Sequence, residues 1–148
     1  MATAPLDWLK TGFLRSQSRF MRARLHADPM TTFIPLLEAL TWAYAIDDYT
    51  RASTGIRVWS RHDDIVRAVR FVRNCVQHDF ASALYQADGV AFPIQFPSTF
   101  KEWRWCPAMS LPNRRRKGGE PEYVKYLQDQ PVRFTLASLA RVFARIGS

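Results

Sequence analysis

Histidine and cysteine are scarce in this chain: its 148 residues hold three of the first and two of the second. Cys75 and Cys106 stand alone in sequence and make no metal-ligand cluster with His26, His62 and His78, so free thiols are expected and a metal centre is not. The six glycines form no phosphate-cradling loop, and no nucleophile motif is present; no cofactor is expected. Long apolar runs are missing as well. The most apolar stretch, FIPLLEALTWAYAI, is too short to span a bilayer and contains Glu38. Near the beginning, Asp7, Lys10 and Arg15 interrupt any apolar segment that would serve as a secretion signal. The expectation is a cytoplasmic protein without a membrane span. Negative charge is in deficit too, with 13 Asp and Glu against 21 Lys and Arg, a formal net charge of +8.

What is abundant is apolar and basic. A hydrophobic content of 47% with 14% aromatics supplies a real core, so the chain reads as one domain, residues 1–148, rather than as a disordered one. Arginine outnumbers lysine 17 to 4. The planar guanidinium fork suits bidentate contact with phosphate, which makes nucleic acid the leading class of partner. Charge that serves only solubility, or docking onto an acidic protein, is the alternative.

Hydrophobic spacing predicts helices separated by one irregular stretch. The first covers residues 5–26, with Pro5 in its first turn and Leu6, Leu9, Phe13 and Phe20 recurring near helical spacing. Arg15, Arg19, Arg22 and Arg24 sit towards its negative end. The second runs from about Thr32 to Ala52, capped by Thr31 or Thr32, with Pro35 in the first turn. Two apolar stripes, Phe33/Leu36/Leu37/Leu40/Tyr44 and Trp42/Ile46/Tyr49, make it either central to its bundle or shared with a partner, which favours a homodimer. A third helix starts at Ser60, where Ser60 and Asp63 resemble a capping box, and carries Ile65, Val69, Val72 and Val76 as a core stripe through about residue 80. Residues 81–120 are irregular: Asp88-Gly89 marks a turn and Val90, Phe92, Ile94 and Phe96 alternate like a short strand. Pro93, Pro97, Pro107 and Pro112 forbid a long helix there. Helices near residues 121–128 and from Arg133 to Ile146 close the chain. The expected class is all-α, a bundle of four to five helices with a long Pro- and Trp-rich insertion before the last ones.

The third helix carries the chain's best candidate for chemistry, FVRNCVQHDF, residues 71–80. Arg73, Asn74 and His78 resemble the signature of HEPN proteins, helical-bundle domains in which an arginine, commonly followed by a polar residue, precedes a histidine by four to six positions. The resemblance implies a metal-independent endoribonuclease of a toxin–antitoxin or antiviral-defence type, dimeric, with an antitoxin or defence protein as a further partner. It gives His78 the proton transfer, Arg73 the charge on the phosphate oxygens and Asn74 the placement of either. Arg19–His26 and Arg57–His62 satisfy the same spacing, but neither arginine is followed by asparagine. On an ideal helix Asn74 and His78 share the face opposite the valine stripe with Arg67 and Arg70, while Arg73 lies roughly 140° from His78. In HEPN toxins controlled by a nucleotidyltransferase, a tyrosine that accepts AMP stands where this chain has Phe80, which has no hydroxyl. A catalytically inert HEPN-like module that binds nucleic acid or a partner protein is the other reading.

Arg67, Arg70, Arg114, Arg115, Arg116 and Lys117 are the candidate RNA phosphate ligands. Trp103 and Trp105, flanking Arg104, would stack bases or, more in keeping with aromatic burial, fasten the long connection to the bundle. Asp47-Asp48 has no partner carboxylates at metal-binding spacing and reads as a helix-end charge pair.

Overall fold

The computed structural model describes residues 5–23, 29–55, 64–77, 79–88, 101–116 and 118–146. Among these the chain is mostly helical, with five α-helices and one two-stranded sheet.

The α1 helix (Pro5–Ala23) buries Phe13, Ser16 and Phe20. The α2 helix (Pro29–Thr54) returns beside it in the opposite direction, so that residues late in α1 meet residues early in α2. Ser16 Oγ donates to Glu38 Oε2 at 3.3 Å, Arg19 pairs with the same carboxylate, and Gly12 lies against the Trp42 indole. A β-carbon on Gly12 would come within 2.6 Å of that ring, which is why the close crossing has glycine there. Leu36, Ala39, Leu40, Ala43 and Ile46 form the buried stripe of α2. Two sequence expectations change here. Because α2 begins at Pro29, Pro35 stands in its second turn rather than its first, and has no N–H to offer the carbonyl four residues back. Asp47 is not at a helix end but inside α2, fully buried.

The α3 helix (Asp64–Val76) is the most thoroughly used core element: Val66, Ala68, Val69, Phe71, Val72, Cys75 and Val76 are all buried. It stops earlier than hydrophobic spacing predicts. Gln77 takes the left-handed conformation, φ 57°, and the N–H of Asp79 reaches back to the Val76 carbonyl at 3.0 Å, closing the helix as a glycine would. A single 3-10 turn over Phe80–Ala83 follows. The proposed capping pair Ser60–Asp63 lies outside the described residues.

The long insertion contains an antiparallel hairpin, which the sequence reading does not anticipate. Strand β1 (Leu84–Asp88) pairs with β2 (Lys101–Trp105) in the register Leu84↔Trp105 to Asp88↔Lys101. The alternating segment from Val90 to Phe96 lies outside the described residues. Trp103 and Trp105, two apart on β2, fasten the hairpin to the bundle. Trp103 packs on Phe33 at 4.9 Å between ring centroids and donates its Nε1–H to Thr32 Oγ1 at 2.9 Å. Trp105 is fully buried and donates to Thr135 Oγ1 at 2.8 Å. Asp129 N–H donates to the Trp105 carbonyl, and the Trp105 N–H to Gln130, so the turn before the last helix clamps the same strand.

Helix α4 (Glu120–Tyr126) lies along α3, with Phe71 and Tyr123 rings 5.5 Å apart. Tyr123 is buried and donates its hydroxyl to the Cys106 carbonyl at 2.6 Å; burial pushes its pKa far up, so it stays a phenol. Helix α5 (Val132–Ala144) brings Phe143 edge-on to Phe13 at 5.0 Å, closing the bundle on α1. On β2 itself, the buried Glu102 accepts from Arg133 of α5 and lies 3.8 Å from Arg104.

The Trp105–Thr135 contact gives a clean test. Thr135→Val keeps the shape but leaves a buried indole N–H without an acceptor, so urea denaturation should show a loss of about 1–3 kcal/mol. Trp105→Ala, which also opens a cavity, should cost about 3–5 kcal/mol.

A basic arc on α3 as the candidate functional site

Burying one side of α3 decides what its other side shows. At about 100° per residue, Arg73, Arg70, Asn74 and Arg67 fall side by side across an arc of roughly 120°, centred opposite the buried residues. Arg70 and Arg67 are exposed, while Arg73 and Asn74 are half-buried. The α2 helix flanks the arc on the Arg73 side, and α4 on the Arg67 side.

Arg73 has the most unusual surroundings. Its guanidinium carbon stands 3.5 Å above the centroid of the Tyr44 ring, a close cation–π contact. Its Nη1 reaches Asn74 Oδ1 only at 3.5 Å, the limit of a hydrogen bond, and its Nε is buried with no acceptor. No carboxylate is within ion-pair distance among the described residues, and burial alone lowers the guanidinium's pKa. A charged group partly withdrawn from water normally has a counter-ion. Arg73 instead has an aromatic platform, a neutral amide, and unused donors.

The other basic residues divide into held and free. Arg67 pairs with Glu122 at 3.2 Å, and Arg114 donates to Glu120 at 2.7 Å. Both carboxylates belong to the first turn of α4. Arg70 and Arg115 are exposed and have no ion-pair partner among the described residues. The entry to α4, which follows the second basic cluster in sequence, is brought against α3 at Gly119. This residue caps α4 at φ 106°, a conformation that disfavours side chains, and a β-carbon on it would lie 3.1 Å from both the Arg67 carbonyl and Phe71 Cβ. Glycine at this position lets the start of α4 abut α3.

His78 lies outside the described residues, as do His26, His62 and Lys117; of Arg116 the backbone is described and belongs to a 3-10 turn, Arg114–Arg116. Since α3 ends at Val76, the helical geometry expected to relate Asn74 to His78 does not apply, and the 140° offset of Arg73 from His78 loses its basis. Arg73 and Asn74 do come together. The sequence reading missed Tyr44, placed there among core residues, and missed Glu120 and Glu122. Tyr44 and Arg73 are 29 positions apart, and no local pattern signals that contact.

A second concavity, about 470 Å³, lies between the start of α3, α4 and α5, lined by Asp64, Ile65, Tyr126, Ser138, Arg141, Val142 and Arg145. Tyr126 donates to Asp64 there at 3.1 Å, and Arg141 donates to Ser138 at 3.2 Å. Asp64 is nine positions from Arg73, about 13 Å along the helix, so this hollow lies at the other end of α3 from Arg73. Among the described residues no group of three or more His, Cys, Asp or Glu stands close enough to hold a metal ion, and no helix is long and apolar enough to cross a membrane. Comparisons with protein-family models, with curated proteins and with solved structures find no match for the chain.

The surroundings of Arg73 have a measurable consequence. Removing its charge forfeits a cation–π contact of about 0.5–2 kcal/mol but relieves an orphaned donor costing about 1–3 kcal/mol. Arg73→Met should therefore lower stability in urea by no more than about 1 kcal/mol. Arg133→Met, which strips the buried Glu102 of a partner, should cost several-fold more in the same assay.

Proposed function

We propose that the chain is a HEPN-like, metal-independent endoribonuclease acting on RNA in the cytoplasm, in a toxin or antiviral-defence role. The observation that carries the reading is Arg73: a half-buried guanidinium with spare donors and no carboxylate partner among the described residues, next to Asn74, on a basic arc. A phosphodiester supplies the acceptors that Arg73 lacks, and the arc continues the attraction along a strand.

In this reaction the ribose 2′-oxygen attacks the adjacent phosphorus and its proton passes to His78. The bond from phosphorus to the 5′-oxygen breaks, and that oxygen leaves with a proton from a second His78. The products are a 2′,3′-cyclic phosphate and a 5′-hydroxyl. Arg73 and Asn74 stabilise charge on the non-bridging oxygens, whose growth in the transition state is what makes the contact catalytic. One histidine cannot be acid and base in one step, so the reading requires a homodimer that brings two copies together. The exposure of Ile34 on α2 supports such an interface. An antitoxin or other defence protein is the further partner proposed.

The end of α3 at Val76 favours a second reading, an inert HEPN-like module that binds nucleic acid or a protein, because His78 then lies beyond the helix that carries Arg73 and Asn74. Turnover separates the two. His78→Ala should abolish cleavage while leaving the melting temperature unchanged, and Arg73→Ala should lower turnover about 10²- to 10³-fold. EDTA should have no effect, and His26→Ala and His62→Ala should cleave like the parent. A parent that binds RNA and never cleaves it establishes the inert module.

Assembly is tested separately. Light scattering at micromolar concentration should give a dimer mass; a strict monomer would remove the two-histidine mechanism and leave RNA binding intact.

A further inference from the structure

The basic residues of the arc are not equivalent, and the difference lies in α4. Glu120 and Glu122 flank Pro121 in its first turn, and each holds one arginine of the basic face, Arg114 at 2.7 Å and Arg67 at 3.2 Å. A carboxylate presents the same pair of acceptor oxygens to a guanidinium as a phosphodiester does. We infer that Glu120 and Glu122 are built-in competitors for RNA, standing in for phosphates on Arg114 and Arg67 in the free protein, so that Arg70 with Arg73 makes the first contact with the strand; this rests on the RNA-binding reading above.

Three features support the assignment. Both acidic residues are aimed by one rigid device: α4 is fixed to α3 by the Phe71–Tyr123 contact, and Gly119 presses the entry to α4 against the Arg67 carbonyl. The Arg67 side chain is 60% exposed and open to an incoming phosphate, while the Arg114 side chain, 25% exposed, is half-buried and presents only part of its guanidinium. An exposed cation such as Arg67 pairs weakly, which makes its exchange of carboxylate for phosphate reversible. Arg70 lies between Arg67 and Arg73 on the arc and has no such competitor among the described residues. The fold thus keeps two of its arginines from contributing until a strand is already engaged, which lowers affinity for polyanions in general.

The test is fluorescence anisotropy with a labelled 2′-O-methyl oligouridylate, which lacks the attacking hydroxyl, over a range of salt concentrations in EDTA with the full chain. Glu120→Gln with Glu122→Gln should tighten binding at least about fivefold at low salt. It should also steepen log affinity against log salt by about 1.4, about 0.7 for each single-strand phosphate newly contacted. Arg67→Gln with Arg114→Gln should weaken the parent's binding less than Arg70→Gln does, yet cancel the gain when added to the glutamine pair. Arg70→Gln should weaken binding in every background. Each single glutamine variant should give a partial gain, which keeps the test open if the double variant folds poorly by circular dichroism. A gain that survives loss of Arg67 and Arg114 would mean that only overall charge had changed, and would overturn the inference, as would no gain at all. Both leave the RNA reading standing. A parent that does not bind the probe at any salt would overturn the RNA reading, and this inference with it.

Discussion

The double commitment of α3 is the constraint on which the rest of this structure depends. Seven of its thirteen residues are buried, and they hold the helix against the bundle through contacts that no neighbouring element supplies alone. With one side so fully used, every polar residue of α3 must share what remains, and the sequence fills it with arginine and asparagine. Concentrated positive charge here is a by-product of burial on the other side. The flanks matter as much as the arc: Tyr44 on α2 supports Arg73, and the first turn of α4 answers Arg67.

That arrangement differs from an ordinary charged surface in its accounting of partners. Elsewhere the protein satisfies its buried ionic groups closely. Glu102, nearly withdrawn from water, is met by both Arg133 and Arg104, and the two hairpin tryptophans each find a threonine hydroxyl. Among the described residues Arg73 is the exception, a guanidinium whose buried Nε has no acceptor. The contrast between the matched polar groups of the hairpin and this one arginine is what the proposed contact with an anion rests on.

Much of the helical frame was legible in the chain because it rests on local periodicity. The stripe Val69, Val72 and Val76, the short helix after Gly119 and the last helix all follow from spacing and from Gly and Pro at their boundaries. What was not legible is long-range. The hairpin joins residues 84–88 to 101–105, and its fastening depends on Thr32 and Thr135, far from either strand. The stop at Gln77 carries no glycine to announce it, so apolar spacing ran the helix on to residue 80 and gave His78 a helical position that α3 does not provide. Pro35 and Asp47 were misplaced for one reason: α2 begins earlier and ends later than its apolar stripes. The motif singles out Arg73 and Asn74, the helix face singles out Arg67 and Arg70, and all four stand on α3. Tyr44 and the two glutamates were not, because a ring beneath a guanidinium and a carboxylate across a helix pair are products of packing.

The central claim is that the arc on α3, with Arg73 at its edge, takes the phosphates of RNA. Its most direct measurement is a nuclear magnetic resonance titration of the arginine side-chain Nε–H signals with a short single-stranded RNA that resists cleavage. The account expects the Arg73 and Arg70 signals to shift together and saturate at one strand concentration, while Arg133, committed to Glu102, stays in place. Saturable RNA binding with the Arg73 and Arg70 signals unmoved would contradict it.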